Sequence, residues 1–135
     1  MTNSGRRILL VDDEPPLLRM MDAYLSRLGY AVTASDSTDA AWQQLEASPD
    51  EFAVAVLDAT MPGMSMVALA LRLLLANPMI AVVAASGYPV DMTAVESAAP
   101  GRVTFLLKPF SPEMLAETVR KMGGGGQSGT QEENV

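Results

Sequence analysis

The stretch ILLVDDEPP, residues 8–16, places four apolar residues directly before three carboxylates and two prolines. The apolar run predicts a short buried strand, and the prolines suit the first turn of a helix that follows it. Asp12, Asp13 and Glu14 therefore lie where a buried strand ends. Because adjacent like charges repel one another, we expect either a cation beside them or full exposure to water.

The same alternation of an apolar run and a helical pattern continues along the chain. The predicted strands span residues 6–11, 30–34, 52–57, 79–85 and 103–107, and the predicted helices span residues 15–28, 38–47, 65–76, 91–99 and 112–122. Five strands alternating with five helices predict an α/β fold with a parallel sheet. Since the strands are nearly all apolar, we expect helices on both faces of the sheet.

The domain organisation predicted from the chain is simple. We expect one domain over residues 6–122, preceded by an extension of residues 1–5 and followed by a flexible, Gly-rich acidic tail over residues 123–135. With 49% hydrophobic and 19% charged residues, the composition is typical of a globular protein.

Charge and composition exclude several classes of function. A net charge of −7 argues against nucleic-acid binding, which needs a basic surface. The chain has no cysteine, which fits a cytoplasmic protein, and no histidine, which excludes histidine-based catalysis within the chain. It also lacks a signal peptide and any apolar run of the roughly 18 residues that would predict a membrane span.

Polar side chains follow four of the five predicted strands at their carboxyl ends. Asp12 and Asp13 end the first strand, Asp58 the third, Ser86 the fourth and Lys108 the fifth. These ends share one edge of a parallel sheet, the edge that carries ligand sites in such folds. Carboxylate oxygens at adjacent strand ends could hold Mg²⁺ with water completing its shell, and a carboxylate can also accept a phosphoryl group.

Each of these residues also has an ordinary structural interpretation. The acidic run suits a helix start, Asp58 and Ser86 are common turn residues, and Lys108 could be a solvated surface lysine. The conjunction favours function, because four separate strand ends carry the residue types that one mechanism needs. In phosphoryl transfer a protein mainly positions groups and neutralises oxygen charge, which Lys108 and Ser86 can do.

Four motifs together resemble the receiver domain of two-component response regulators over residues 6–122. They are ILLVDDE, AVLDATMPGM, AASGYP and FLLKPF, in this order. The resemblance implies a flavodoxin-like sheet of order 2-1-3-4-5 flanked by five helices. It also implies a signalling switch that takes a phosphoryl group from a sensor histidine kinase or a histidine phosphotransfer protein and catalyses only its own phosphorylation and dephosphorylation.

The resemblance also assigns roles to individual residues. It implies that Asp58 is the phospho-acceptor, and that Asp12 and Asp13 join Asp58 as carboxylates for Mg²⁺ with the Thr60 carbonyl as a further ligand. It implies that Ser86 and Lys108 contact the phosphoryl group. It also implies that Phe105 is the aromatic residue of the switch and that the Lys108–Pro109 bond is cis. Tyr88, two residues after Ser86, is a switch candidate by its position and bulk alone: it could shield the acyl phosphate from water.

Some positions depart from the family pattern. Ser65-Met66 stands where the family often has Asp-Gly, and the switch hydroxyl is a serine rather than a threonine. SGYP, residues 86–89, resembles receivers attached to hybrid sensor kinases, whereas the start at Met1 and the acidic tail favour a stand-alone receiver. The expected partners also include an output protein or a second copy of the chain.

Three rival functions remain for comparison. A dehalogenase-like phosphatase should end its first strand in Asp-x-Asp, and a flavin binder should have a hydroxyl- and glycine-rich phosphate loop there; the DDEPP run fits neither. The third rival is a pseudo-receiver that binds partners without being phosphorylated. The complete acidic set and Lys108 argue against it.

Two helices carry further expectations. From residue 64 to residue 76 only Ser65 and Arg72 are polar, which indicates either a wide core-facing stripe or a surface buried by a partner. The predicted fourth helix, residues 91–99, is short and alanine-rich. We expect it to be the most mobile helix of the unphosphorylated state.

Overall fold

The computed structural model describes residues 6–123. The predicted extension of residues 1–5 and the tail from residue 124 onward lie outside the described residues. Ten elements alternate along the chain: β1 (Arg7–Val11), α1 (Pro15–Arg27), β2 (Ala31–Ser35), α2 (Thr38–Ala47), β3 (Phe52–Asp58), α3 (Met66–Ala76), β4 (Ala81–Ser86), α4 (Thr93–Ala98), β5 (Val103–Leu107) and α5 (Pro112–Met122).

The five strands form one parallel sheet in the order β2-β1-β3-β4-β5. This confirms the predicted α/β class and the strand order that the family resemblance implied. The chain adds β2 on one side of β1 and then returns to add β3 on the other. The order therefore reverses between β1 and β3, which is where open α/β sheets build their sites.

The strand register brings two acidic positions together at this point of reversal. Val11, the last residue of β1, is paired with Leu57 of β3. Asp12 and Asp58 come next on these neighbouring strands. Asp58 in turn is paired with Ala85 of β4, so Ser86 lies one residue further along at the same edge.

The hydrophobic core lies on both faces of the sheet, as the apolar strands predicted. Because side chains alternate along a strand, Ile8 and Leu10 face the layer formed by α1 and α5. Leu9 and Val11 face the layer formed by α2, α3 and α4. With both faces covered, the carboxyl edge of the sheet remains open for polar side chains.

One predicted boundary that shifts is the start of β4, which begins at Ala81 rather than residue 79. The buried side chain of Asn77 donates to the carbonyl of Phe52 at 2.9 Å and accepts the N–H of Met79 at 2.9 Å. This closes a turn that keeps Met79 82% exposed, so the strand starts later.

Helix α4 is six residues long, shorter than predicted. The carboxylate of Asp91 accepts both the N–H and the hydroxyl of Thr93, at 3.0 and 2.7 Å. This turn delays the helix to Thr93. Only Val95 is buried within it, so little apolar area anchors the helix, and its mobility stays a prediction.

The apolar character of α3 is explained mainly by the core. Five of its residues are buried, and three more pack against the core: Met66, Leu69, Ala70, Leu73 and Leu74, with Val67, Leu71 and Ala76. The guanidinium of Arg72 lies 5.4 Å from the ring centre of Trp42 on α2. Leu75 remains 87% exposed.

No helix within residues 6–123 is long and apolar enough to cross a membrane.

Candidate functional site

The first part of the site is the turn between β1 and α1. Asp12 is buried and bonded on two sides: its N–H donates to the carbonyl of Ser35 at 3.1 Å, and its Oδ1 accepts the N–H of Glu14 at 2.9 Å. Asp13 and Glu14 are exposed. The acidic run therefore divides into one buried carboxylate and two that face solvent.

The second part is Asp58, the last residue of β3, which is also buried. Its Oδ1 accepts the N–H and the hydroxyl of Thr60, both at 3.1 Å. The ammonium of Lys108 lies 3.5 Å from the same oxygen. Three donors thus converge on one carboxylate oxygen and fix the orientation of the side chain.

Lys108 is the cation that the acidic run required. Its Nζ lies 3.1 Å from Oδ2 of Asp12 and 3.4 Å from Oε1 of Glu14, in addition to its contact with Asp58. The N–H of Lys108 donates to the carbonyl of Ser86 at 2.7 Å, and the peptide bond to Pro109 is cis. The strand end and the following turn therefore aim one ammonium at three carboxylates.

At both Asp12 and Lys108, burial and the neighbouring opposite charge shift the pKa in opposite directions. Burial raises the pKa of Asp12, and this outweighs the N–H of Glu14 and the ammonium of Lys108, which both favour its charged form. Burial alone would lower the pKa of Lys108, but the hydrogen bond and charge of Asp12, with Asp58 and Glu14, raise it instead. Lys108 therefore stays charged while it neutralises the buried acids.

The carboxylates of Asp12, Asp13 and Asp58 form one cluster. One oxygen from each lies within 4.8 Å of the others. Two of these residues are buried and Asp13 is exposed, so the cluster opens to solvent on one side. Hard carboxylate oxygens with room for water are the donor set that Mg²⁺ favours. The residues present therefore fit this ion.

The structure places Ser86 at the same edge of the sheet, as the last residue of β4. Ser86 is buried, and its hydroxyl oxygen accepts the N–H of Tyr88 at 3.2 Å. Tyr88 itself is 58% exposed. Phe105 is partly buried and packs against the core layer of α2, α3 and α4. The roles of these three residues in a switch stay predictions.

Two contacts of the site were not foreseen from the sequence. One is the ion pair of Lys108 with Glu14, a residue predicted only as part of the acidic run. The other is the hydroxyl of Thr60, which was predicted to act through its carbonyl and here donates to Asp58. The only sequence signal for it is the spacing Asp-x-Thr, which suits a local side-chain turn.

Comparisons with known proteins agree with this geometry. Residues 8–120 match the family model of the response regulator receiver domain. The chain is 30% identical over 117 residues to the response regulator receiver protein CpdR of Brucella abortus, and the match covers 87% of this chain and 96% of that protein. It is 26% identical over 120 residues to the chemotaxis protein CheY of Thermotoga maritima, covering 87% of this chain and 98% of CheY.

A solved structure shares the fold. The response regulator TrrA from Thermotoga maritima, in complex with Mg²⁺ and BeF, superposes with a TM-score of 0.74 at 24% identity. The match covers 87% of this chain and 98% of that chain. This likeness concerns the fold.

Proposed function

Because the chain belongs to the response regulator receiver domain family, we propose that it is a phospho-accepting switch with Asp58 as the acceptor. The observation that carries the proposal is the convergence of Asp12, Asp58 and Lys108 at the carboxyl edge of the sheet. The donor would be a phosphohistidine of a sensor kinase or phosphotransfer protein. We place this exchange in the cytoplasm, where such donors are phosphorylated at the expense of ATP.

The proposed transfer is a substitution at phosphorus. A carboxylate oxygen of Asp58 forms a bond to phosphorus, the P–N bond of the donor breaks, and the released imidazole nitrogen keeps the electron pair. Thr60 holds the Asp58 carboxylate through two donors on Oδ1, which leaves little side-chain freedom to lose on reaction. Lys108, already 3.5 Å from Asp58, can pair with an oxygen of the incoming phosphoryl group.

Asp12, Asp13 and Asp58 are the residues that would hold Mg²⁺, with the Thr60 carbonyl as the further expected ligand. When bound, the ion would neutralise the oxygen charge of the phosphoryl group. The chain's own part is to keep two of the three carboxylates buried and oriented. Exposed Asp13 leaves that side of the cluster accessible to solvent and to the donor.

An open groove beside Lys108 offers a path for the donor. It is lined by Glu14, Leu17, Gly87, Lys108, Pro109 and Phe110. Leu17, Pro109 and Phe110 are apolar, and the ammonium of Lys108 lies 3.5 Å from Oδ1 of Asp58. We propose this groove as the approach of the donor protein.

We also propose that the chain is a signalling protein that catalyses only its own phosphorylation and dephosphorylation.

The test is phosphorylation by a small acyl phosphate with Mg²⁺, followed by intact-mass measurement. We expect the wild-type chain to gain one phosphoryl group and Asp58→Asn to gain none. Asp50→Asn, the same chemical change at an exposed position, is the matched control and should behave as wild type. An equal gain in Asp58→Asn would place the acceptor elsewhere, and no gain in the wild type would favour the pseudo-receiver.

A further inference from the structure

Thr38, the first residue of α2, contacts the loop that follows the proposed acceptor. Thr38 is 4% exposed, and its Oγ1 accepts the N–H of Met64 at 3.2 Å across 26 residues of sequence. A threonine hydroxyl at a helix start usually caps the helix. Here Ser37 is the cap, because its hydroxyl accepts the N–H of Ala40. The hydroxyl of Thr38 is therefore available to the loop.

The loop between β3 and α3 is fixed near both of its ends. At its start the N–H of Ala59 donates to the carbonyl of Ala85, and Thr60 is bonded to Asp58. At its end Ser65 caps α3 by accepting the N–H of Ala68. Between these points the bond from Met64 to Thr38 joins the loop to the start of α2.

Gly63 shows how closely the loop sits on Thr38. Its φ of +93° is a conformation that side chains disfavour. A Cβ at this position would lie 2.8 Å from Oγ1 of Thr38, too close for unstrained contact. The loop and the hydroxyl therefore leave no space between them, and the course of the loop depends on both residues.

We infer that Thr38 is a positioning residue for the proposed phosphorylation site. It acts through the loop: Thr38 fixes Met64 and Gly63, the loop sets the position of Thr60, and Thr60 orients Asp58. The inference rests on the proposed function, since it names a residue that supports the same site without touching the reacting atoms. Loss of the hydroxyl should loosen the Asp58 carboxylate and its share in Mg²⁺ binding.

The test compares Thr38→Val, which keeps the shape and loses the hydroxyl, with Thr38→Ser, which keeps the hydroxyl. The readouts are Mg²⁺ affinity by calorimetry, the rate of phosphoryl gain from a small acyl phosphate, and hydrogen exchange of the Met64 amide. In Thr38→Val we expect about three- to tenfold weaker Mg²⁺ binding, the range of one net hydrogen bond. We also expect slower phosphorylation and faster amide exchange, whereas Thr38→Ser stays close to wild type.

A purely structural role would lower the unfolding temperature and leave the Mg²⁺ affinity and the rate of the folded protein unchanged. A folded Thr38→Val with wild-type affinity and rate would therefore overturn the inference. If this variant does not fold, Gly63→Ala against Gly101→Ala decides it. Both glycines have positive φ, but a Cβ at Gly101 meets nothing within 4 Å, so only Gly63→Ala should weaken Mg²⁺ binding. Equal Mg²⁺ affinities in the two glycine variants would also overturn it.

The failure of the proposed function gives a different result. In that case the wild-type chain gains no phosphoryl group from the donor. The comparison of Mg²⁺ affinities among the Thr38 variants still tests the positioning role at the carboxylate cluster. Equal affinities in wild type and Thr38→Val would then reject the positioning role as well.

Discussion

Lys108→Ala should destabilise the metal-free protein, and Mg²⁺ should reverse part of the loss. Lys108 is the one cation whose charge lies within 4 Å of carboxylates of the acidic cluster among residues 6–123. Without it, Asp12 and Asp58 remain buried side by side with no opposite charge. A bound divalent cation would supply the missing positive charge at the same carboxylates.

The structure sets the size of the effect. Removing one partner of a buried ion pair costs about 3–5 kcal/mol, because the other charge is left uncompensated. The Lys108 side chain keeps 18% of its surface exposed and its partner Glu14 keeps 61%, so water screens part of the loss and we expect about 2–3 kcal/mol. For a domain of this size that corresponds to an unfolding temperature lower by about 8–12 °C.

The assay is thermal unfolding of wild type and Lys108→Ala, each with and without Mg²⁺. Lys121→Ala is the matched control, because Lys121 is 66% exposed and only 3.7 Å from the exposed Glu117. It should change the free energy of unfolding by less than about 0.5 kcal/mol. The gap between Lys108→Ala and wild type should narrow with Mg²⁺, because the variant has no ammonium competing for the carboxylates and should bind the ion more tightly. Stabilisation by a bound ligand rises with the logarithm of its affinity. An equal gap in both conditions would refute the counter-ion role.

Asp13→Ala should weaken Mg²⁺ binding about tenfold or more by calorimetry, because it removes the exposed oxygen of the cluster, while Asp50→Ala should leave the affinity unchanged; equal affinities in the two variants would remove Asp13 from the site. Tyr88→Ala should shorten the lifetime of the acyl phosphate if the ring shields it, and an unchanged decay rate would reject the shielding role. Residues 86–99 should exchange amide hydrogens differently with and without beryllium fluoride as a phosphoryl mimic, and identical exchange would contradict the switch.

The fold could be predicted from the sequence because each strand and helix carries its own local signal. Apolar runs separated by helical patterns gave the number, type and order of the elements. The start of β4 could not be found in this way. It depends on the side chain of Asn77 reaching the carbonyl of Phe52 in another strand, a tertiary contact that periodicity does not contain.

The convergence of the site followed from one rule, that parallel strands end at the same edge of the sheet. This rule brings Asp12, Asp58 and Lys108 together before any side-chain geometry is known. It does not give the contacts between side chains. The bond of Thr38 to the loop spans 26 residues and depends on how α2 packs against the loop after β3, which no local pattern encodes.

The acidic run at the end of β1 is stabilised by two kinds of contact, and both are repeated at β3. One oxygen of Asp12 accepts the N–H of Glu14, and one oxygen of Asp58 accepts the N–H of Thr60. In each case the donor lies two residues further along the sequence. At Asp12 this bond favours the charged carboxylate and offsets part of the cost of burying it. Lys108 then bridges the two acids from β5. Local turns therefore orient each carboxylate, and a single cation that is distant in sequence offsets the repulsion between them. This is why the counter-ion role of Lys108 can be measured in the metal-free protein, before any phosphoryl group is present.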